Sequence, residues 1–292
     1  MAVTNTLTRI REAFDGAGVT GRLHALDIDS GAEVGASADH PVVTASVHKL
    51  CLLVALHQQA AAGRVDLTEQ IECPPAGRTP GPTGLAAMLD PVRMSLRDAA
   101  YLMMAVSDNT AADLLLERVG LDAVNHTTAR LGLAHTHAVY TFGETFGTIR
   151  QDAGPGGPQA LTDPYIIARL RALDPVRTNH STPRDMTRLL AAIWRDEACA
   201  PAHAAAIRRL LGLQVWPHRM ASGFPFDDVH VAGKTGSLPT VRNEVGVIEY
   251  PDGGRYAVAV FTRATNTAAT FPPADAVIGT TARIAVEALR AL

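Results

Sequence analysis

The spacing of apolar residues divides the chain into regions of different secondary structure. Over residues 7–17, apolar side chains recur at the spacing of one helix face, and glycines at 16–18 predict that the helix ends there. Over residues 23–28, Leu26 and Ile28 alternate with aspartates, which is typical of a half-buried strand. The pattern therefore predicts that the chain opens with a helix followed by a strand.

Helical spacing dominates from residue 41 to about residue 211. The apolar segments that carry this spacing are residues 50–56, 96–106, 111–119 and 188–194. Within the same region, residues 141–175 are rich in glycine, proline and other turn formers. We expect a long surface loop there.

The period of the pattern changes again after Gly212. Residues 230–233, 243–250 and 255–263 are predicted strands, and a glycine-containing turn joins the last two into a hairpin. Residues 273–292 return to helical spacing. We therefore predict an α/β (α+β) fold with two lobes. Residues 1–40 and 212–292 would form an α/β lobe, and residues 41–211 an all-α lobe, with an active site between them.

Composition and charge exclude several classes of partner. The 292 residues include 26 Lys and Arg against 29 Asp and Glu, which is too balanced for a nucleic-acid-binding protein. The longest unbroken apolar stretch, residues 99–106, is far shorter than the roughly 18 residues of a membrane-spanning helix, so no membrane association is predicted. Charged residues interrupt residues 1–18, where a secretory signal would be apolar, and we expect a cytoplasmic protein.

The sequence also predicts no cofactor and no metal. His135 and His137 are two positions apart without a third ligand at zinc spacing. The three cysteines are widely separated, which fits neither a zinc site nor a disulfide framework. The glycines of residues 16–21 match a nucleotide-binding spacing, but they follow a helix and precede a strand, which is the reverse of the required order.

Three short clusters carry the candidate chemistry: Ser-Val-His-Lys at residues 46–49, Ser-Asp-Asn at 107–109, and Lys-Thr-Gly at 234–236. A serine hydroxyl is a weak nucleophile until a base takes its proton, and a lysine is such a base only when its pKa is lowered. Ser46 and Lys49 are three positions apart at a predicted helix start, so they share one face. Each cluster alone also fits a structural role, as a helix cap or a surface charge, but all three together in this order favour catalysis.

At these clusters the sequence resembles the penicillin-recognising serine enzymes, and most closely the class A β-lactamases. The resemblance extends to residues 81–89, 94–116, 181–190 and 231–253, and so covers nearly the whole chain. It implies an all-α lobe packed on an α/β lobe with a five-stranded antiparallel sheet.

The resemblance also implies catalytic roles. Ser46 would be the acylated nucleophile, Lys49 its base, and Ser107 the group that passes a proton to the leaving nitrogen. The backbone N–H groups of Ser46 and Ser237 would form the oxyanion hole.

Substrate-binding roles follow from the same resemblance. Asn109 would bind an amide of the substrate, and Lys234 and Thr235, in the cluster that Gly236 completes, would hold its carboxylate. Arg242 is predicted as a further carboxylate partner.

One block of the family is missing. Class A β-lactamases carry a Glu-x-x-Leu-Asn segment whose glutamate activates the deacylating water, and no such segment occurs between Ser107 and Ser181. Glu144 is the only glutamate of that interval after Glu117, and it lacks the Leu-Asn pair. Without a base the acyl enzyme should react slowly with water.

We therefore predict a serine acyl-transfer enzyme, that is, a transacylase, amidohydrolase or esterase. It would take an acyl group from a small amide, ester or β-lactam-like donor onto Ser46 and pass it to an amine or to water. Two alternatives stay open. One is a true class A β-lactamase with Glu144 as water base, and the other is a penicillin-binding or sensor domain without turnover.

Overall fold

The computed structural model describes residues 2–292, with side chains from residue 5 onward. Its helices are α1 (Ala2–Gly16), α2 (Lys49–Ala61), α3 (Leu96–Ala105), α4 (Asn109–Val119), α5 (Leu121–Arg130), α6 (Phe142–Ala153), α7 (Pro164–Arg169), α8 (Pro183–Trp194), α9 (Pro201–Leu211) and α10 (Pro272–Arg290). Its strands are β1 (Val19–Asp27), β2 (Glu33–Ala36), β3 (Val42–Val43), β4 (Gln70–Cys73), β5 (Val92–Ser95), β6 (His180–Ser181), β7 (His230–Leu238), β8 (Val241–Glu249) and β9 (Arg255–Ala264).

A five-stranded antiparallel sheet is the centre of the fold. Its strand order is β2-β1-β9-β8-β7, so β7 lies at one edge. The predicted α+β fold and the five-stranded sheet are confirmed. The central strands are buried on both faces, which explains their nearly continuous apolar sequences.

Two large cores lie on the two faces of this sheet. On one face α1 and α10 pack through residues such as Ile10, Phe14 and Ile278. On the other face the helical region packs around α2, whose first nine residues are all buried. A helix that is buried on every side belongs in the middle of a core. The turn that precedes α2 lies directly against Gly236 of the edge strand β7.

The segment predicted as an all-α lobe is mostly helical and also contains two short ribbons, β3 with β6 and β4 with β5. The lobe boundaries at residues 40 and 211 remain predictions. Across residues 2–292, no helix combines the length and apolar character that crossing a membrane requires.

The expected surface loop at residues 141–175 is wrong, because most of it is helical. Thr141 and Glu144 form a capping box that begins α6, and Asp163 caps α7. Between these helices, residues 154–162 form 3-10 turns. A small core that includes Ile149 and Ile167 covers their inner faces, and this burial stabilises helices that the local glycines and prolines disfavour.

Candidate active site

Ser46 lies in a 3-10 turn, Ala45–His48, that leads directly into α2. Ala45 before it has a φ of +50°, a left-handed conformation that is costly for a residue with a side chain. Strand β7 passes very close to this turn, since a Cβ atom added at Gly236 would lie 2.7 Å from the carbonyl oxygen of Thr44. Only glycine at position 236 therefore lets the sheet edge approach the predicted nucleophile.

Lys49 begins α2, and its side chain is completely buried. Its Nζ lies 3.2 Å from Ser46 Oγ, which confirms that the two residues share one face. The same nitrogen donates to the carbonyl oxygen of Ser107 at 2.6 Å and to Asn109 Oδ1 at 2.6 Å. Burial lowers the pKa of Lys49 to about 7, so a large share of the amine is neutral and able to accept a proton near pH 7.

The Ser-Asp-Asn cluster forms the start of α4. Ser107 has a φ of +61°, a second strained residue beside the predicted nucleophile. Asp108 caps α4 by accepting from Ala111 N and also accepts from Leu85 N, which fixes the position of both neighbours. Asn109 does line the cleft, but its amide oxygen accepts from Lys49 and its Nδ2 donates to Pro80 O. Its first role in this structure is therefore to position Lys49.

Lys234 reaches Ser107 from the opposite side of the cleft. Its Nζ donates to Ser107 Oγ at 2.9 Å, while Lys49 Nζ lies 3.4 Å from the same oxygen. Burial, followed by the nearby charge on Lys49, lowers the pKa of Lys234 well below the usual value for lysine. Ser107 therefore lies between two buried amines, which is the setting that a proton shuttle needs.

A buried polar network behind β7 was not predicted from the sequence. Gln214 accepts from Thr235 N at 2.6 Å and donates to Glu244 Oε1 at 2.7 Å. Glu244 also accepts from Met220 N at 2.7 Å, and burial raises its pKa to about 6. The network fixes the backbone of Thr235, and so orients the strand that carries Lys234.

The two arginines near the sheet edge differ in placement. Arg242 donates to the carbonyl oxygens of Leu238, Val241 and Ala269, and it does not line the cleft at Ser46. Arg219, which was not predicted, does line that cleft and donates to Ser237 Oγ at 2.7 Å.

Arg219 reaches the cleft because the surrounding elements hold it there. It is nearly buried, pairs with Asp275 at 2.7 Å, and donates to two backbone carbonyls of β7 and β8. The structure thus places Arg219, and not the predicted Arg242, on the cleft wall next to Ser237. No local pattern indicates this, because residue 219 lies in an irregular segment between α9 and β7.

The cleft itself is open and mixed in character. It has a volume of about 260 Å³. Its walls are formed by Ser46, Pro82, Val106, Ser107, Asn109, Phe146, Trp216, His218, Arg219, Thr235, Gly236 and Ser237. Every predicted site residue except Lys49, Lys234 and Arg242 is in this wall, and the two lysines lie directly beneath it, bonded to Ser107.

A second and much smaller cavity adjoins Ser46 from the side of α6. Its volume is about 20 Å³, close to the space that one water molecule needs. Phe142 and Phe146 line it, and the Phe142 ring centre lies 4.6 Å from Lys49 Nζ. Among the described residues, no carboxylate lines either this cavity or the cleft.

Glu144 does not have the setting of a water-activating base. The carboxylate is exposed and accepts from Thr141 N at 2.8 Å as part of the capping box. Glu144 is the third residue of α6 and lies at the surface, whereas the ring of Phe142, the first residue of α6, lies against Lys49.

Comparison with known proteins identifies the family. A family model described as the beta-lactamase enzyme family matches residues 5–289. The chain belongs to the β-lactamase enzyme family. The resemblance stated from the three clusters is thereby confirmed, whereas the individual residue roles remain predictions.

Within the β-lactamase enzyme family, relatives of different kinds resemble the chain. The β-lactamase regulatory protein BlaB of Streptomyces cacaoi is 34% identical over 304 residues, which cover 97% of each chain. A β-lactamase of Sphaerobacter thermophilus is 27% identical with a TM-score of 0.80, covering 99% of this chain and 98% of its own. A point mutant of PBP-A, described as an acyl-enzyme complex with penicillin G, is 22% identical with a TM-score of 0.80, and covers 99% and 97%. The PBP-A match supports the fold alone.

Proposed function

We propose that this chain is a penicillin-recognising serine acyl enzyme, acylated on Ser46, whose acyl ester reacts slowly with water. The observation that carries the proposal is Lys49 Nζ at 3.2 Å from Ser46 Oγ, with a pKa lowered to about 7. A buried, partly neutral amine at hydrogen-bond distance is what a serine needs to become a nucleophile. The β-lactamase family membership supports a small β-lactam-like donor.

The proposed acylation follows the contacts of the site. Ser46 Oγ attacks the donor carbonyl while its proton passes to Lys49 Nζ, and the backbone N–H groups of Ser46 and Ser237 stabilise the oxyanion. The carbonyl carbon to nitrogen bond then breaks, and the nitrogen takes the proton of Ser107 Oγ. Lys49 then passes the proton it took from Ser46 to Ser107 Oγ, 3.4 Å away, so that Lys49 and Ser107 both regain their starting protonation.

The fate of the acyl enzyme depends on the small cavity beside Ser46. Hydrolysis needs a water molecule activated by a base, and a positioned base typically contributes about 10²- to 10⁴-fold. The cavity is lined by Phe142 and Phe146 and, among the described residues, by no carboxylate. We therefore expect an acyl enzyme that persists for much longer than that of a hydrolysing β-lactamase.

Two outcomes are compatible with a persistent acyl enzyme. In the first, an amine bound in the open cleft attacks the ester, and Ser107 and Lys49 accept its proton by microscopic reversibility. In the second, the acyl enzyme is itself the signal, as in a sensor of β-lactams. The regulatory name of the 34% identical relative favours the sensor, and the intact proton-transfer groups favour transfer.

Intact-mass spectrometry tests the acylation. Benzylpenicillin should add its full mass once, because ring opening leaves the nitrogen attached, and Ser46→Ala should abolish the adduct. An adduct that persists in Ser46→Ala would overturn the assignment of the nucleophile.

A partition experiment separates the two outcomes. After acylation, the protein is mixed with a panel of primary amines, and new amide, free acid and remaining adduct are measured. Amide that grows with amine concentration supports transfer, whereas an adduct that survives every amine supports the sensor. Rapid turnover of a chromogenic cephalosporin that is lost in Glu144→Gln would instead establish the hydrolytic alternative.

A further inference from the structure

A larger cavity adjoins the cleft beyond Ser237. Its volume is about 520 Å³, twice that of the cleft at Ser46. Its own lining includes Pro158, Leu161, Leu238, Pro239, Thr240 and Arg242, and it shares Arg219 and Ser237 with the cleft. The acylation step described above uses none of this volume.

The direction of β7 decides which part of a donor reaches this cavity. Ser107, which protonates the leaving nitrogen, is bonded to Lys234 at 2.9 Å, on the side of β7 away from the cavity. The cavity begins at Ser237 and continues past Leu238, three and four residues further along the strand. The leaving part of the donor therefore lies toward Lys234, and the acyl side chain lies toward the cavity.

Positively charged side chains outnumber negatively charged ones around this cavity. Arg219 and Arg242 are both within salt-bridge distance of Asp275, at 2.7 Å and 3.6 Å. The two guanidinium groups therefore share Asp275 as an acidic partner. Among the described residues, no carboxylate lines the cavity itself. The wall thus has an excess of positive charge beside an apolar surface of prolines and leucines.

Arg242 on this wall has one hydrogen-bond donor without a partner among the described residues. Three of the five N–H donors of Arg242 bond to backbone carbonyls and Nε faces Asp275, which leaves one Nη2 donor. Burial, more than the charge of Arg219, lowers the pKa of Arg242, and the charge of Asp275 opposes this shift.

We propose that this cavity binds the acyl side chain of the donor and selects chains that end in a carboxylate. The apolar residues would contact the methylene groups, and the unused Nη2 donor of Arg242 would bind the terminal carboxylate. This proposal rests on the proposed function, since it names the donor class of the same site. It is a binding step and forms no covalent bond.

Three penicillins with different acyl chains test it. The first is benzylpenicillin. The second is 6-aminopenicillanic acid with an adipoyl chain, which ends in a free carboxylate, and the third is the same penicillin with only that terminal carboxylate methylated. We expect the free adipoyl acid to acylate Ser46 at least about tenfold faster than its ester, and the ratio to shrink as salt is raised. A ratio within threefold of one in the unaltered protein would overturn the proposal.

Variants that fill the cavity test whether the preference for the acid arises there. Ala268→Trp places an indole in the cavity and should remove the preference for the acid, with Leu161→Trp as a second filling variant. Thr270→Trp adds the same group to an exposed position outside the lining and should keep the preference. A preference that survives both filling variants would overturn the location.

The same comparison also separates this proposal from the proposed function. If none of the penicillins acylates the protein, the proposed function fails. The affinities of the acid and the ester for Ser46→Ala, measured by calorimetry, then decide the cavity proposal independently. Tighter binding of the acid there supports it, and equal or absent binding overturns it.

Discussion

The ring of Phe142 covers the side-chain nitrogen of Lys49, with the ring centre 4.6 Å from Nζ. Phe142 and Ser46 also line the same small cavity, so an apolar ring borders the space beside the predicted nucleophile that is large enough for about one water molecule. The ring contributes a cation–π contact of roughly 0.5–2 kcal/mol to the protonated lysine, but it offers no proton acceptor. This relationship leads to the first prediction.

Phe142→Glu should shorten the lifetime of the acyl enzyme. The new carboxylate would lie beside Lys49 and the small cavity, where it can activate water, and we expect deacylation to accelerate by at least about 10²-fold. The decay of the benzylpenicillin adduct, followed by intact mass, measures this. Phe142→Gln is the matched control, because it opens the same space without a base. Equal decay rates in the two variants would contradict the prediction.

Acylation should depend on pH through Lys49. In the proposed acylation the neutral amine of Lys49 is the base, and its pKa is about 7, so the acylation rate should rise with pH and level off above that value. Lys49→Met keeps a similar volume but has no base, and we expect it to lower the rate by about 10²- to 10⁴-fold and to remove the inflection. Rates of adduct formation between pH 5 and 9 provide the check, with circular dichroism as the control for folding. A Lys49→Met variant that retains the inflection would assign it to another group.

Arg219 should matter for donors that carry a carboxylate. Its guanidinium lies beside Ser237 on the cleft wall, and loss of a charged hydrogen bond typically costs about 1.5–3 kcal/mol. Arg219→Met should therefore raise the benzylpenicillin concentration for half-maximal acylation by about 10- to 100-fold. A fluorophosphonate without a carboxylate should label Ser46 at a nearly unchanged rate. A parallel loss with both reagents would show a general disturbance of the site.

Protein stability should fall in mild acid because of His48. Both ring nitrogens of His48 are buried without partners among the described residues, and burial lowers its pKa to about 3. The unfolded chain binds a proton near pH 6.5 and the folded protein does not, so the free energy of unfolding decreases as pH falls between these values. The decrease from this group is up to about 1.4 kcal/mol per pH unit.

Denaturant unfolding of a His48→Leu variant measures this contribution. The variant has no titrating ring at this position, so its stability should depend less on pH between about 4 and 6 than that of the unaltered protein. His24 and His57, whose pKa values burial lowers to about 4, leave a residual dependence. Identical slopes for the two proteins would show that His48 is not the responsible group.

Local patterns in the sequence were sufficient for much of the fold and for part of the site. Period-two and period-3.6 spacing predicted the first helix and strand, the hairpin of β8 and β9, and α10, because each buries one continuous surface. The contact of Ser46 with Lys49 was predictable for the same reason, since residues three apart share one helix face. The missing glutamate block was also visible, because an absent motif is a property of the chain alone.

Other features depended on residues far apart in the chain, and only the tertiary structure decided them. The sequence did not reveal that Phe142 covers Lys49, that Asn109 binds it, or that Arg219 reaches Ser237. Helices at residues 142–153 and 164–169 form against the local preference of a glycine- and proline-rich segment. Local sequence determines which face of an element is apolar, whereas packing between distant elements determines which polar groups meet and which lose contact with water. The lowered pKa values of Lys49 and Lys234, on which the proposed chemistry depends, are consequences of that packing.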